Sequence, residues 1–579
     1  MSGPKGVLLG FDPLTAPVSQ WCVSFLNHGI DRLGHADVKT MWVQVEALRP
    51  QLKVSMELVN DTALKLSCPA DIARTIHTYI DKSAIISNGA VSEVLIHFGI
   101  DEMQRLARIA PHDMRLPSPI EVDYDWPGMF QPFDHQVDTA RFLTLHKRAF
   151  CFNEAGTGKT SAAIWAADYL MRQGLVKRVL VICPLSIMQS AWQADLFKTA
   201  MHRTCAIAHG VQSKREKVIN GKYDFVIINY DGVNVVEKAI LKANFDLIII
   251  DEANAYKNVS TVRWRTLSRL VRADTSLWMM TGTPAAQSPE DAFGLAKLIN
   301  PDGVPKYKTA WKDMVMHQVS RFRWLPKPSA KDKVFAALQP AIRYEKAECL
   351  DLPDVMYQTR IVPLSAQATK YYKDLLKDMQ IKAAGETIST VNAAASLTRL
   401  LQLSGGAVYT DDGNVIEFDV SPRLKVLQEV MDEAPQKVLI FVPYKHTLNL
   451  LKTYLDTNGI SNAIISGDVT ATSRSQIFNS FQTTTNPRAL LIQPQAASHG
   501  VTLTAADTVI FWSPVMSVET YLQCIARIDR VGQKNKMTVI HLQGSEVERR
   551  MYALLQNKVD LHEKLVDLYR DEIEGEINE

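Results

Sequence analysis

The sequence predicts an α/β protein with two tandem doubly wound parallel-sheet lobes, preceded by a small α+β amino-terminal domain. Three observations carry this. From about Phe130 onward, short and nearly all-apolar runs (RAFCFN, RVLVICP, DFVIINY, FDLIIID, SLWMMTG) alternate with amphipathic stretches of helical period. Runs of that kind, bounded by turn residues, are what strands look like when helices cover both faces of a parallel sheet. The same pattern returns with KVLIFVP, NAIISG, ALLIQP, DTVIFWS and MTVIHL, so a second lobe follows the first. Finally, the chain has 579 residues, more than one hydrophobic core organises, since domains of about 100–200 residues are the rule.

Residues 1–110 form the amino-terminal domain in this reading. The segment 38–66 holds the alternating stretches TMWVQVEAL and LKVSMEL, suited to half-buried strands, and helical period appears over 72–80 and 91–109. A linker occupies 111–127, because Pro111, Pro117, Pro119 and Pro127, with Pro132 just beyond, favour extended chain over helix. The first lobe spans 128–345. Its last part, about 303–345, reads as a basic helical insertion, with Lys306, Lys308, Lys312, Arg321, Arg323 and Lys327 among the aromatics Tyr307, Trp311, Phe322 and Trp324. Such a stretch suits a nucleic-acid backbone, and equally a solvated helical surface with a few buried rings. The second lobe, 346–579, ends in a helical run over 547–568 and an acidic tail.

Composition bounds the class. Hydrophobic residues make up 46% and charged residues 22%, with no low-complexity tract or repeat, which points to ordered globular domains. The net charge of +2 does not by itself announce a nucleic-acid partner, because the electrostatic footprint depends on local clustering. Seven cysteines (Cys22, Cys68, Cys151, Cys183, Cys205, Cys349, Cys524) are scattered, with no CxxC pair, which argues against a disulfide framework and against zinc. The apolar run in MSGPKGVLLGFDPL is too short for a signal-peptide core or a membrane span, so the expectation is a soluble cytoplasmic protein with no membrane partner.

The chemistry concentrates first at Asn153-Glu-Ala-Gly-Thr-Gly-Lys-Thr160, between the apolar strand RAFCF and the helix SAAIWAADYL. A phosphate-binding loop needs that context: Gly156 and Gly158 let backbone N–H groups approach phosphate, and the helix presents its positive end. Lys159 is placed to hold the β- and γ-phosphates of ATP and Thr160 to ligate Mg2+; the first loop position is Asn153 rather than glycine. Asp251-Glu252-Ala253-Asn254 follows the strand FDLIII, at the sheet edge where doubly wound proteins bind ligands. Asp251 is placed to engage Mg2+ and Glu252 to polarise the attacking water; the bland alternative is a helix start decorated with acids. Upstream, Gln136 carries an amide able to pair with adenine N6 and N7, or is simply an exposed glutamine at a helix start.

At this point the residues resemble the Swi/Snf-type translocases of superfamily 2. The resemblance rests on the order of phosphate loop, Asp-Glu-Ala-x box, Thr281-Gly282-Thr283-Pro284 and Gln523-Cys-Ile-Ala-Arg527-Ile-Asp-Arg530-Val-Gly-Gln533, with CPLSIMQSAW, RLKVLQEVM, KVLIFVPY and LTAADTVIFW agreeing between them. It covers about residues 128–570 and implies RecA-like lobes, an ATP-dependent activity and a closing brace helix. It further implies that Arg527 and Arg530, three residues apart on one helical face, serve as arginine fingers on the γ-phosphate, with Gln523 beside the nucleotide. Thr281, Thr283 and Gly500 fall where hydrolysis is coupled to lobe movement. Pro184, Ser186, Lys257 and Gly467 fall where the family touches the nucleic-acid backbone, and Arg321 and Arg323 of the basic segment would add to those contacts.

The sequence also departs from the family. The motif usually written AGGxGLNL is here Ala496-Ala497-Ser498-His499-Gly500-Val501-Thr502-Leu503. Insertions after Thr281-Gly-Thr-Pro are short, and no chromatin-reading or metal-binding module is recognisable, which favours a compact prokaryotic or viral relative over a chromatin remodeller. The expected function is an ATP-driven motor on nucleic acid, foremost double-stranded DNA. Alternatives are a strand-separating or branch-migrating helicase, for which the sequence identifies no wedge, and a signalling NTPase that gates a protein partner through residues 1–110.

Overall fold

The computed structural model describes residues 55–80, 82–110, 114–282, 288–320, 323–349, 352–385, 390–409, 414–496, 501–530 and 532–557. The chain divides into two compact units, one made essentially of residues up to Glu345 and one from Lys346 onward.

The first unit opens with a small α+β module. Strands β1 (Ser55–Asn60), β2 (Ala63–Pro69), β3 (Ser83–Ser87) and β4 (Val91–His97) make an antiparallel sheet in the order β1-β2-β4-β3, with helix α1 (Ala70–Tyr79) between β2 and β3 and α2 (Ile100–Ile109) after β4. The helical period expected over 91–109 therefore holds only from Ile100. In 91–97 the buried residues are Ser92, Val94 and Ile96, a period of two, and the strand pairs along its whole length with β2. Of the two alternating stretches expected to be strands, the second supplies β1, while TMWVQVEAL lies outside the described residues.

The proline-rich segment is not a free linker where it is described. Leu116, Ile120 and Tyr124 are buried, and a short helical turn spans Ile120–Asp123. The Tyr124 hydroxyl donates to the fully buried Asp168 at 2.6 Å, and the same carboxylate accepts from His202 Nε2 at 2.8 Å and Arg203 Nε at 2.5 Å. Burial alone would raise the Asp168 carboxyl, but these donors outweigh it and hold the group below its ordinary range.

The parallel sheet of the first unit comprises β5 (Arg148–Cys151), β6 (Val179–Cys183), β7 (Cys205–Ala208), β8 (Phe225–Asn229), β9 (Leu247–Asp251), β10 (Ser276–Met280) and, past a hairpin, β13 (Ala341–Ile342), in the order β13-β5-β10-β9-β6-β8-β7. Val179 and Val181 of β6 enter one core and Leu180 and Ile182 the other, so the sheet is buried on both faces. Helices α3 (Asp134–Leu145) and α4 (Lys159–Arg172) flank β5, and α5 (Ala292–Ile299) follows β10. The basic insertion is only partly helical: α6 (Lys308–Val315) and α7 (Ala330–Ala337) bracket a two-stranded hairpin, β11 (Met316–Ser320) with β12 (Arg323–Pro326).

The second unit carries β14 (Val355–Ile361), the small hairpin β15 (Ala407–Tyr409) and β16 (Val415–Glu417), then β17 (Lys437–Phe441), β18 (Asn462–Ile465), β19 (Ala489–Ile492), β20 (Ala506–Phe511) and β21 (Met537–Gln543). Its parallel sheet runs β14-β21-β20-β17-β19-β18 and again separates two cores, with Leu439 and Phe441 in one and Val438 and Ile440 in the other. Helices α8 (Ser421–Glu433), α9 (Val518–Ile525) and α10 (Glu546–Gln556) cover it. Arg423 of α8 and Glu548 of α10 form a buried bidentate pair at 2.8 and 2.7 Å, and Glu548 also accepts from Gly544 N at 2.6 Å. The expected helical run over 547–568 is α10 as far as Gln556; its remainder lies outside the described residues.

His541 on β21 is fully buried, its Nε2 paired with the Tyr521 hydroxyl at 2.9 Å. Burial pushes its pKa down to about 4 from the ordinary 6.5. The folded state thus prefers the neutral ring. The unfolded chain takes up the proton first as pH falls through 6.5, and stability drains away down to about pH 4. Denaturant unfolding at pH 7.5 and pH 4.5 should show His541→Gln losing about 2–3 kcal/mol less than the wild type between the two; an equal loss would show that the ring is not held neutral.

Candidate active site

The phosphate loop leaves β5 and enters α4. Gly156 and Gly158 have φ of 93° and 80°, a left-handed region that side chains disfavour. Gly158 is required on a second count, since a Cβ there would lie 2.0 Å from Gln136 Nε2. Gln136 is not the exposed helix-start glutamine of the bland alternative. It is buried, its Oε1 accepts from Phe133 N at 3.1 Å across the first turn of α3, and its amide nitrogen lies against the loop.

Asn153 accounts for the missing first glycine. Its Nδ2 donates to Thr139 Oγ1 of α3 at 2.8 Å and its Oδ1 accepts from Tyr344 N at 3.1 Å, so the side chain bolts the loop's entrance to two neighbouring elements. Lys159 Nζ donates to Asn153 O at 2.7 Å and to Glu154 O at 3.1 Å, which holds the ammonium across the loop. Thr160 follows on the first turn of α4.

Asp251 closes β9. Its Oδ2 accepts from the Trp192 indole at 2.9 Å and its Oδ1 from Glu252 N at 3.0 Å. Glu252 adopts φ 53° and ψ 59°, a left-handed conformation that costs a non-glycine residue about 1–3 kcal/mol and persists only where the surroundings fix it. Tyr230 does the fixing: its hydroxyl donates to Asp251 O at 2.6 Å and to Glu252 O at 3.2 Å. Burial, then the nearby Glu252 and Asp251, push the phenol well above its ordinary pKa, so it remains a donor. Trp192 and Tyr230 were not singled out by sequence reasoning. The signal that finds them is position: each follows the carboxyl end of a strand, β6 beside β9 and β8 beside β6.

Thr281 follows β10, buried, with its N–H on Cys151 O at 3.0 Å. Lys257 pairs with Asp291 at 3.1 Å, and Pro184 and Ser186 lie in the turn after β6. Thr160 and Asp251 offer a hydroxyl and a carboxylate, the oxygen donors a hard divalent cation takes, and these residues fit Mg2+. The thiols flanking the site are inert: burial pushes Cys151 up to about 11 and Cys183 well above its usual value.

In the second unit α9 ends at Ile525, so Arg527 and Arg530 do not share a helical face but lie in the turns beyond it. Arg527 is buried, donating to Gln523 O at 2.8 Å and Val501 O at 3.1 Å; Arg530 is half-buried and donates to Ala526 O at 2.8 Å. Gln523 sits on α9, half-buried, with Glu519 Oε1 at 3.4 Å. Gly467 is exposed in open space after β18. Thr283, Gly500 and Arg321 lie outside the described residues, and of Arg323 only the backbone, at the start of β12, is described.

Residues 135–405 match the SNF2-related domain and residues 422–532 the helicase conserved C-terminal domain. The chain is 27% identical over 437 residues to the mouse (Mus musculus) chromodomain-helicase-DNA-binding protein 1-like, covering 72% of this chain and 47% of that protein. It is 24% identical over 444 residues to putative protein p41 of Acyrthosiphon pisum secondary endosymbiont phage 1, covering 71% of this chain and 92% of the phage protein. Among solved structures, the Sulfolobus solfataricus SWI2/SNF2 ATPase core in complex with dsDNA aligns at 20% identity and a TM-score of 0.38, over 77% of this chain and 95% of that one. The chain thus spans about half the length of the first curated relatives it matches, 47% and 44%.

Gly158→Ala should weaken binding of a fluorescent ATP analogue by at least ~100-fold, about 2.7 kcal/mol. Gly174→Ala is the control, because Gly174 has a similar φ of 73° but nothing within 4 Å of a new Cβ. Equal losses in both variants would mean that backbone strain, not the Gln136 contact, governs the loop.

Proposed function

Because the chain belongs to the Swi/Snf-type ATPases of superfamily 2, we propose that it is a motor that couples ATP hydrolysis to translocation along double-stranded DNA, remodelling DNA or what is bound to it. The observation that carries the reading is the Asp251–Glu252 pair, with the Asp251 carboxylate held by Trp192 and the backbone around the strained Glu252 held by Tyr230, together with the phosphate-loop sequence between β5 and α4. Strain maintained by dedicated hydrogen bonds is a mark of a preorganised reaction centre.

In this reading Lys159 and the loop N–H groups bind the β- and γ-phosphates, and Gln136 selects adenine. Glu252 orients and polarises the attacking water. Thr160 and Asp251 would hold Mg2+, which would supply charge neutralisation on the phosphates. Arg527 and Arg530 add positive charge as the γ-phosphoryl transfers, a contribution worth about 10³–10⁵ in rate in comparable enzymes. Their environments divide the labour: buried Arg527 also stitches its turn to Val501, while Arg530 is the more accessible. Thr281, Thr283, Gly500 and Gln523 belong to the coupling and nucleotide contacts, and Pro184, Ser186, Lys257 and Gly467 to the DNA backbone.

The basic insertion supports duplex contact less by its total charge than by what is left over. Lys312 is engaged by Glu290 at 3.1 Å and lies over the Trp324 ring, Lys327 is bound to Asp313 O, and Lys333 to Met314 O at 3.1 Å. Lys306 and Lys331 are exposed, as are Tyr307 and Phe335, and these are the groups offered to phosphate. A strand-separating helicase is the second reading, favoured by the β11–β12 hairpin, a shape able to part strands; displacement of a forked duplex decides it.

ATP hydrolysis by the wild type and Lys159→Ala, measured alone and with duplex DNA, single-stranded DNA and RNA, should show strong stimulation by duplex that the variant lacks. Preference for single strands or RNA would favour the helicase, and no stimulation would favour an NTPase gating a protein through residues 1–110. Arg530→Ala should lower kcat by about 10³, while Arg527→Ala should also lower the unfolding midpoint. Replacing Arg321 and Arg323 by alanine should weaken duplex binding and reduce its salt slope by roughly one to two; unchanged binding would remove the insertion from the DNA site.

A further inference from the structure

We propose that Trp192 is a positioning residue for the magnesium carboxylate, and that it links Asp251 to the loop following β6. The inference rests on the ATPase and DNA-contact reading above. Its first observation is a contrast among tryptophans. The indoles of Trp165, Trp264, Trp278, Trp311 and Trp512 each donate to a main-chain carbonyl. Trp192 instead donates to a carboxylate oxygen, Asp251 Oδ2, at 2.9 Å, from a fully buried ring. A charge-assisted bond of this kind is about twice as strong as a neutral one and is directional, so it fixes the rotation of the carboxylate. Oδ1 accepts from Glu252 N at 3.0 Å, so each carboxylate oxygen is held by a donor of its own.

The second observation is the backbone that delivers the indole. Leu185–Ile187 forms a tight 3-10 turn, and Met188–Gln193 then widens into a π-helical turn before the helix Ala194–Thr199. Wide turns of this kind are rare and concentrate at functional sites, because they re-aim a side chain at the expense of regular hydrogen bonding. Here the turn has Leu185 and Gln189 exposed near one end and Trp192 buried at the other. The register makes this possible: β6 and β9 are adjacent, with Ile182 beside Ile250, so the loop after β6 and Asp251 leave the same sheet edge. A shift of the loop against a DNA backbone at Pro184 or Ser186 therefore moves the indole that holds Asp251.

Trp192→Phe removes the donor and keeps an aromatic ring, and Trp192→His truncates the ring further but retains an N–H. The test is titration of a fluorescent ATP analogue, with and without Mg2+, in the absence of DNA, alongside thermal midpoints. Trp192→Phe should bind the Mg2+-nucleotide about 10-fold more weakly than wild type, with metal-free nucleotide affinity unchanged, as losing a hydrogen bond to a metal ligand does elsewhere. Trp192→His should recover part of the loss. Equal weakening with and without Mg2+, or equal impairment in both variants, would assign Trp192 to packing and overturn the proposal. The link to the loop predicts that duplex DNA lowers the Mg2+ concentration the wild type needs, but not that of Trp192→Phe. A duplex effect that persists in Trp192→Phe overturns the link. A wild type indifferent to duplex overturns the link and the DNA reading together, while the DNA-free titration still decides the role of the indole.

Discussion

A parallel strand covered by helices on both faces has nowhere to display a polar group except its ends, and this constraint arranges the whole first unit. β9 runs Leu247 to Ile250 without an exposed residue, and its first carboxylate is Asp251, where the strand finishes. Its neighbours behave alike. β5 gives way to Asn153, β6 to Pro184 and Ser186, β8 to Asn229 and Tyr230, and β10 to Thr281. All of these lie at carboxyl ends, so hydrophobic burial alone gathers the polar chemistry along one edge. In the second unit the carboxyl-end loops carry Gly467 after β18 and Ala496 after β19, while β21 also buries a polar ring, His541, within its length.

Gathering residues is not the same as fixing them, and the molecule fixes them by close approach. Gly294 on α5 sits where a Cβ would be 2.1 Å from Lys257 O, and the Trp264 indole donates to Gly294 O at 2.8 Å. The chain after Glu252 is thereby clamped from behind, while Tyr230 holds Glu252 itself and its ring meets Tyr256 edge-on. Asn153 performs the same service for the phosphate loop. Preorganisation of this kind places the cost of orientation in folding rather than in the reaction.

The strands of both lobes were legible because continuous apolar runs have few other uses, and the phosphate loop because glycines, lysine and threonine at fixed offsets need no tertiary information. The misreadings share a cause. VSEVLIH satisfies a helical and an alternating template over so short a span, and only pairing with β2 decides between them. Three-residue spacing put Arg527 and Arg530 on one face only if the helix continued, and it stops at Ile525. Trp192 and Tyr230 act on residues 59 and 21 positions away, a relation that no local pattern encodes. The packed course of residues 114–127 was hidden for the same reason, since its partner Asp168 lies on α4, 44 positions beyond Tyr124.

Helix α3 joins two parts of the molecule usually considered separately. Gln136 stands at its amino end against Gly158, and near its carboxyl end Thr144 O accepts from the Gln104 side chain of α2, at 2.8 Å. A helix of 12 residues is a rod about 18 Å long, stiff on the scale of these contacts. The amino-terminal module is in that sense the handle of a short lever whose tip lies at the nucleotide loop. A cargo or a graft attached to the module would bear on one end of this rod, with the loop around Gly158 at the other.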